Sequence, residues 1–235
     1  MENLTFLLMS LSVIAGIVLL AVLSEKFFCR ERKNLRSTHY ISYTAIFSCM
    51  AGVLMLLEIP LFFAPVFYKL DLSELPVLIC TFYLGPVAGV LAELLKVLVK
   101  LLLKGTTTAF VGDFANFVVG CSFILPASIV YHTKPSWKSA LCGMAVGTFV
   151  LTAFGSFFNA VYLIPKFAEL YGMPLESIVA MGTKVNASIT DIKTLVLLAV
   201  VPFNLLKGLV VSAATWFLYK RISPILHKND ERKKG

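Results

Sequence analysis

Charged residues are scarce in this sequence of 235 residues: they make up 14% of the chain, whereas 58% of it is hydrophobic. A soluble globular domain carries about a quarter charged residues, so this balance excludes an ordinary soluble domain. The mean hydropathy is +0.86. Apolar runs such as 4–23 and 195–219 reach the roughly 20 residues that a helix needs to cross a bilayer. The sequence therefore predicts an all-α polytopic membrane protein.

The sequence also lacks the motifs of several enzyme classes. It has no GxxxxGK(S/T) loop for nucleotide phosphates and no CxxC pair. Its histidines lie at predicted membrane edges, away from the buried acids, which argues against a Ser-His-Asp triad or a histidine metal site. We therefore expect neither an enzyme nor a cofactor. The residues concerned are His39, His132 and His227, with five scattered cysteines at 29, 49, 80, 121 and 142.

The net charge of +8 is confined to three basic clusters that flank apolar segments. They span residues 26–36, 134–138 and 220–234. Basic residues beside apolar spans are typical of cytoplasmic loops. This distribution favours a multi-pass membrane protein over a partner of nucleic acid.

We predict seven transmembrane helices, because this number places all three basic clusters on the same side of the membrane. The 75–103 segment is interrupted by Gly85-Pro86, and dividing it into two helices places every basic cluster on the cytoplasmic side. The N-terminus is then outside and the C-terminus inside, with outer connections at 58–74, 104–112 and 164–192. Residues 71–74 resemble a capping box, and Thr190-Asp191 suits a helix N-cap. The predicted spans are about 4–24, 40–57, 75–84, 86–103, 114–131, 139–163 and 193–221.

Polar residues inside predicted spans are costly and mark candidate sites. Asn204 and Lys207 share one face near the middle of the last span, too deep for the lysine to reach water easily. Asn159 lies near the outer end of the preceding span and has two interpretations, a ligand contact or a hydrogen bond between helices. Amides and one cation among aromatic residues suit a planar, uncharged heterocycle with carbonyls and ring nitrogens.

Two further polar pairs have the i,i+3 spacing of one helix face: Glu93 with Lys96, and Asp113 with Asn116. They either contribute to the ligand site or form salt bridges that offset the cost of inserting charge into the membrane. The sequence leaves both interpretations open.

An ordered series of motifs resembles the riboflavin-binding S components of energy-coupling-factor (ECF) transporters. The likeness runs from about residue 40 to 226. The stretches are KLDLSELP at 69–76, LGPVAGVLAELLK at 84–96, KGTTT at 104–108, GDFANFVVG at 112–120, GMP at 172–174, SITD at 188–191 and PFNLLKG at 202–208.

The resemblance implies a six-helix subunit of a prokaryotic cell membrane that binds riboflavin from the outer side. It also implies a membrane coupling protein and two ATPase subunits as partners, which fits the missing nucleotide loop. Its flavin site maps onto Asn159, Asn204 and Lys207. The sequence leaves open whether FMN also binds. A lysine and the threonines at 106–108 are suited either to contact the phosphate of FMN or to cap a turn. Family motifs also contain Asp71, Glu93, Lys96, Asp113 and Asn116.

S components resemble one another in small residues on the first core helix that pack against the coupling protein. Here these are Ala45, Cys49, Ala51 and Gly52. The pattern divides the chain into an added N-terminal helix and linker (1–39), a six-helix core (40–226) and a basic tail (227–235). An S component for another vitamin, such as thiamin or folate, and a stand-alone secondary transporter are the alternatives.

Overall fold

The computed structural model describes residues 2–29, 34–65 and 68–231, and nearly all of its regular structure is helical. A two-residue antiparallel hairpin, β1 (Ile59–Pro60) with β2 (Lys69–Leu70), lies between the second and third helices. The helices are α1 (Glu2–Phe28), α2 (Thr38–Leu54), α3 (Glu74–Leu84), α4 (Pro86–Lys104), α5 (Val111–Thr133), α6 (Trp137–Phe158), α7 (Ile164–Leu170), α8 (Leu175–Thr183), α9 (Ile192–Leu195) and α10 (Val201–Glu231).

Two π-helical turns join neighbouring helices into longer rods. Asn159–Leu163 connects α6 to α7, and Val196–Val200 connects α9 to α10. Such turns are rare and occur frequently at functional sites, because the extra residue changes where the following side chains point. The first begins at Asn159, one of the predicted site residues.

Four helical segments in the described part of the chain are long and apolar enough to cross a membrane: Thr5–Phe28, Val111–Thr133, Trp137–Leu170 and Ile192–Arg221. The other predicted spans are also helices, but α2 has 17 residues and α3 has 11, and α4 carries Glu93 and three lysines. Several membrane spans are therefore present, whereas the count of seven stays a prediction.

The connection predicted over 164–192 contains helices. The rod continues to Leu170 because Ile164, Phe167 and Ala168 are buried in a second apolar cluster, and α8 contributes Ile178 to the same cluster. Much of the predicted outer connection is therefore helical, since apolar residues beyond the predicted end of the span still pack into a core.

Gly85 separates α3 from α4, as the Gly-Pro pair predicted. Its φ of 112° lies in a region that side-chain-bearing residues rarely adopt. Pro86 then begins α4, where its missing N–H costs nothing. The chain therefore reverses within one residue and brings α4 back along α3.

Small residues allow close helix packing. A Cβ on Gly143 of α6 would lie 2.5 Å from the carbonyl oxygen of Ala127 on α5, and a Cβ on Gly147 would lie 2.6 Å from that of Phe123. This close approach of backbones is typical of membrane helix interfaces. The α5–α6 pair therefore forms a tightly packed wall of the bundle.

Helix α1 packs against α4 and α5. Ala21 is buried, the ring of Phe6 meets the ring of Phe114 edge-on at 6.1 Å, and Glu25 Oε2 accepts a hydrogen bond from the Val87 N–H at 3.2 Å. The Glu25 carboxylate thus lies at the N-terminus of α4, where the helix dipole favours negative charge.

The two predicted caps have different outcomes. Asp191 caps α9 and forms a capping box with Thr194, as Thr190-Asp191 indicated. Asp71 instead closes a turn by accepting from the Ser73 N–H, at 2.9 Å, and from the Ser73 hydroxyl. Ser73 makes no side-chain cap to α3, so the capping box predicted at 71–74 was wrong.

Candidate functional site

A cavity of about 380 Å³ lies at the end of the bundle where the connections after α2, α4 and α7 meet. Its volume falls within the range of small-molecule sites. Six of the eight predicted ligand residues line it: Asp71, Asp113, Asn116, Asn159, Asn204 and Lys207. The structure thus brings together residues that lie more than 130 positions apart in the sequence.

The two amides Asn159 and Asn204 form one polar surface of the cavity. Asn159 donates through Nδ2 to the Gly155 carbonyl at 2.7 Å and accepts at Oδ1 from the Tyr68 hydroxyl at 2.8 Å. Asn204 Nδ2 donates to the Ser156 hydroxyl at 3.2 Å. Both side chains are buried, so these bonds fix the direction of their remaining donors and acceptors.

Lys207 is held beside the amides by two carboxylates. Its Nζ lies 3.2 Å from Asp71 Oδ2 and 3.6 Å from Glu74 Oε1. A lysine has three N–H donors, and one is hydrogen-bonded to Asp71, so donors remain for a ligand in the cavity. Its charge is balanced locally, and it suits a ligand oxygen that carries no full charge.

Glu93 and Lys96 are not among the residues that line the cavity. Both are fully buried, and Lys96 Nζ lies 2.6 Å from Glu93 Oε2 and 3.0 Å from Glu74 Oε1. The salt-bridge interpretation of this i,i+3 pair is the one that the geometry supports.

These contacts form an alternating series of buried charges behind the cavity, which we call the charge chain. In order it consists of Asp71, Lys207, Glu74, Lys96 and Glu93. Each internal member has an oppositely charged neighbour on both sides, which offsets the high cost of burying ions.

The two residues of the second predicted pair, Asp113 and Asn116, make different contacts. Asp113 binds Lys100 at 2.6 Å and accepts from the Thr106 hydroxyl at 2.7 Å. Asn116 lines the cavity, and its Oδ1 is buried without a hydrogen-bond partner in the described structure. A buried unpaired carbonyl is costly, so Asn116 is a candidate to accept a ligand N–H or O–H.

The threonines at 106–108 mainly support the turn before α5. Thr106 accepts from the Phe110 N–H at 3.0 Å, and Thr108 accepts from the Gly112 N–H at 3.0 Å. Ala109 and Phe110 have positive φ, so these bonds hold a tight backbone turn. Of the two roles that the sequence left open, the turn is the one with contacts in the structure.

Glu58 and Lys69 line the exposed rim of the cavity. Glu58 Oε2 lies 2.6 Å from Lys69 Nζ and 2.9 Å from Lys104 Nζ. Partial burial alone would raise the pKa of Glu58, but its hydrogen bonds and charge attraction to Lys69 and Lys104 lower that pKa below its ordinary value. Glu58 is therefore ionised at neutral pH.

Aromatic residues supply the apolar walls. The rings of Tyr68 and Phe203 lie 5.2 Å apart, and Phe167 and Tyr171 line another part of the cavity. Burial raises the pKa of the Tyr68 hydroxyl, so Tyr68 remains a donor to Asn159. Sequence reasoning missed Tyr68, Glu74, Lys100 and Glu58. Only Glu74 and Lys100, as ionisable residues within helices, carried a signal that could have found them.

The four predicted docking residues on α2 do not share one surface. Ala45 and Cys49 are exposed one turn apart. Ala51 is fully buried, and a Cβ on Gly52 would lie 2.5 Å from the side chain of Val99. The second pair therefore packs α2 against α4, and only the first pair is available to a partner in this conformation.

No group of three or more potential metal ligands occurs among the side chains described in the structure. The polar groups of the cavity are instead amides, hydroxyls and paired charges.

The family model described as "ECF transporter, substrate-specific component" matches residues 39–219. A structural neighbour reported under "Structure and mechanism of the S component of a bacterial ECF transporter" aligns with a TM-score of 0.62 and 34% identity. That alignment covers 80% of this chain and 97% of the neighbour.

Two curated relatives have names that state a substrate. The riboflavin transporter RibU of Staphylococcus aureus (strain TCH60) is 34% identical over 199 residues, which is 85% of this chain and 98% of the relative. The riboflavin transporter FmnP of Bacillus subtilis (strain 168) is 30% identical over 181 residues, 77% of this chain and 90% of the relative.

Proposed function

This chain belongs to the family of ECF transporter substrate-specific components, and we propose from that membership that it binds riboflavin for uptake across the cell membrane. The observation that carries the proposal is the convergence of Asn159, Asn204 and Lys207 on one buried cavity with aromatic walls. Relatives that cover most of this chain are named riboflavin transporters.

The cavity chemistry suits the isoalloxazine ring of riboflavin. This ring is planar and uncharged, and its pyrimidine edge offers two carbonyls and one N–H. Lys207 and the amide N–H groups can donate to the carbonyls, while the unpaired Asn116 Oδ1 can accept from the N–H. Tyr68 and Phe203 can contact the faces of the ring.

Energy for uptake is proposed to come from separate subunits, a membrane coupling protein and two ATPases. The family membership and the missing nucleotide-binding loop support this division of labour. The exposed Ala45 and Cys49 on α2 are the proposed contact with the coupling protein, because small residues allow helices to approach closely.

The proposed orientation places the cavity on the outer side of the membrane, with the N-terminus outside and the C-terminus in the cytoplasm. The α5–α6 connection at 134–136 holds a basic residue and lies at the helix ends opposite the cavity. Basic residues favour the cytoplasmic side. Residues 1–39 are proposed as an added helix and linker, 40–226 as the six-helix core and 227–235 as a cytoplasmic tail.

A fluorescence titration of detergent-purified protein with riboflavin tests the proposal. We expect Asn204→Leu and Lys207→Leu each to weaken binding by about tenfold to a hundredfold, because a buried ligand group loses its partner. Lys193→Leu is the matched control, since Lys193 is exposed near the start of the same helical rod. Riboflavin affinity that is equal in all four proteins would refute the assignment of the site.

A further inference from the structure

At the rim of the cavity, the Glu58 carboxylate lies between two lysines, of which Lys69 also lines the cavity. Glu58 follows α2, Lys69 lies in β2, and Lys104 ends α4, so three separate elements meet at one ion-pair cluster. The three side chains are 25%, 44% and 40% exposed, respectively, in contrast to the nearly inaccessible Lys207 below them. We call these three residues the rim cluster.

The hairpin fixes the cluster geometrically. Ile59 pairs with Leu70 and Pro60 with Lys69, which brings Glu58, the residue before β1, close to Lys69 in β2. Both lysines contact the same oxygen, Glu58 Oε2. Their ammonium groups are therefore directed at Glu58, whose charge weakens their attraction for a second anion.

The rim is the part of the cavity that the far end of a bound flavin would reach. If the heterocycle contacts Asn159, Asn204 and Lys207 on the buried side, its sugar-alcohol chain extends toward the exposed side. There, Glu58, Lys69 and Thr107 offer hydrogen-bonding groups for hydroxyls. A phosphate on the end of that chain carries a charge of about −1.5 to −2 at neutral pH and would meet the Glu58 carboxylate.

We propose that Glu58 is a specificity-determining residue that favours riboflavin over its phosphate monoester, FMN. It acts by occupying two lysines that would otherwise bind the phosphate and by repelling that phosphate directly. The inference rests on the proposed riboflavin function. It concerns the ratio of two affinities, which can change while riboflavin binding itself persists.

The test compares riboflavin and FMN titrations of wild-type protein and Glu58→Gln at low and high ionic strength. Gln keeps the size and the accepting oxygen of Glu but removes the charge. We expect the ratio of FMN affinity to riboflavin affinity to rise by about twofold to fivefold at low salt, as for exposed charge pairs. The gain should shrink in high salt because exposed charges are screened.

Two further variants make the result specific to the rim cluster. Glu169→Gln removes a carboxylate that is more exposed than that of Glu58, pairs with Lys166 at 2.7 Å and does not line the cavity, and it should leave the affinity ratio unchanged. Adding Lys69→Gln to Glu58→Gln should reverse part of the FMN gain.

The outcomes separate this inference from the proposed function. An unchanged ratio in Glu58→Gln, or an equal gain in Glu169→Gln, would overturn the role of Glu58 while riboflavin binding stands. Equal weakening of both flavins would make Glu58 a structural residue and also overturn it. A wild-type chain that binds neither flavin would refute the proposed function and this inference with it.

Discussion

Replacing Lys96 with methionine tests whether the charge chain holds the fold together. Lys96 is fully buried between Glu74 and Glu93, at 3.0 Å and 2.6 Å. Methionine has a similar length but no charge. The variant therefore leaves Glu93 without its cation and Glu74 with only the more distant Lys207, at 3.6 Å.

The expected loss is large because an uncompensated charge stays buried. Removing one partner of a buried pair costs about 3–5 kcal/mol. Each kcal/mol lowers Tm by about 2–4 °C in a protein of this size, so Lys96→Met should lower Tm by about 6–20 °C. A thiol-reactive fluorophore can report unfolding in detergent as labelling of Cys80 and Cys121, which are inaccessible in the folded protein, in addition to labelling of the exposed Cys49 and Cys142.

Two comparisons make the result interpretable. Lys166→Met breaks an exposed i,i+3 pair with Glu169 and should cost no more than about 1 kcal/mol. The double variant Lys96→Met/Glu93→Gln removes one buried charge of each sign and should recover most of the lost Tm. Equal Tm values for Lys96→Met and Lys166→Met would refute the idea that the charge chain stabilises the fold.

Two other variants test neighbouring features. A Cβ at Gly155 would lie 3.1 Å from Asn204 Nδ2. Gly155→Ala should therefore displace the Asn204 amide and weaken riboflavin binding about tenfold in a fluorescence titration. Unchanged affinity would contradict this close packing of Gly155 against Asn204. Glu25→Gln keeps an acceptor for the Val87 N–H but removes the charge at the N-terminus of α4, so we expect a loss of about 0.3–2 kcal/mol in thermal unfolding, with flavin affinity within twofold. A Tm equal to that of the wild type would show that α1 is not anchored through this charge.

Local sequence rules predicted the parts of the fold that depend on local geometry. Gly85-Pro86 marked the reversal between α3 and α4, and Asp191 marked the start of α9. The same rules failed where tertiary contacts decide. Residues beyond 163 stay helical because Ile164 is fully buried against neighbouring elements, a contact that the periodicity of one segment does not contain.

The cost of inserting polar residues into a membrane identified most of the site residues, but it did not show which of them pair with one another. Asn204 and Lys207 stood out because polar groups in apolar helices are costly. The partner of Lys207 is Asp71, 136 residues earlier in the chain, and no local spacing rule connects them. Tyr68 was missed for the opposite reason: it lies in a connection, where an aromatic hydroxyl carries no insertion penalty.

The balance of charge in the cavity explains which kind of ligand it suits. Each lysine that lines it is paired with a lining carboxylate: Lys69 with Glu58 and Lys100 with Asp113 at 2.6 Å, and Lys207 with Asp71 at 3.2 Å. A charged ligand would disturb these pairs, since each ammonium would have to serve two anions or each carboxylate two cations.

An uncharged ligand leaves the pairs intact and is selected by the directions of its hydrogen bonds. The discriminating group is then the buried Asn116 Oδ1, which has no donor in the described structure. A heterocycle whose ring offers an N–H beside its carbonyls satisfies this oxygen, whereas one with acceptors alone leaves it unpaired, at a cost of about 1–3 kcal/mol. Selection of a flavin over a similar planar molecule can therefore arise without any net charge in the site.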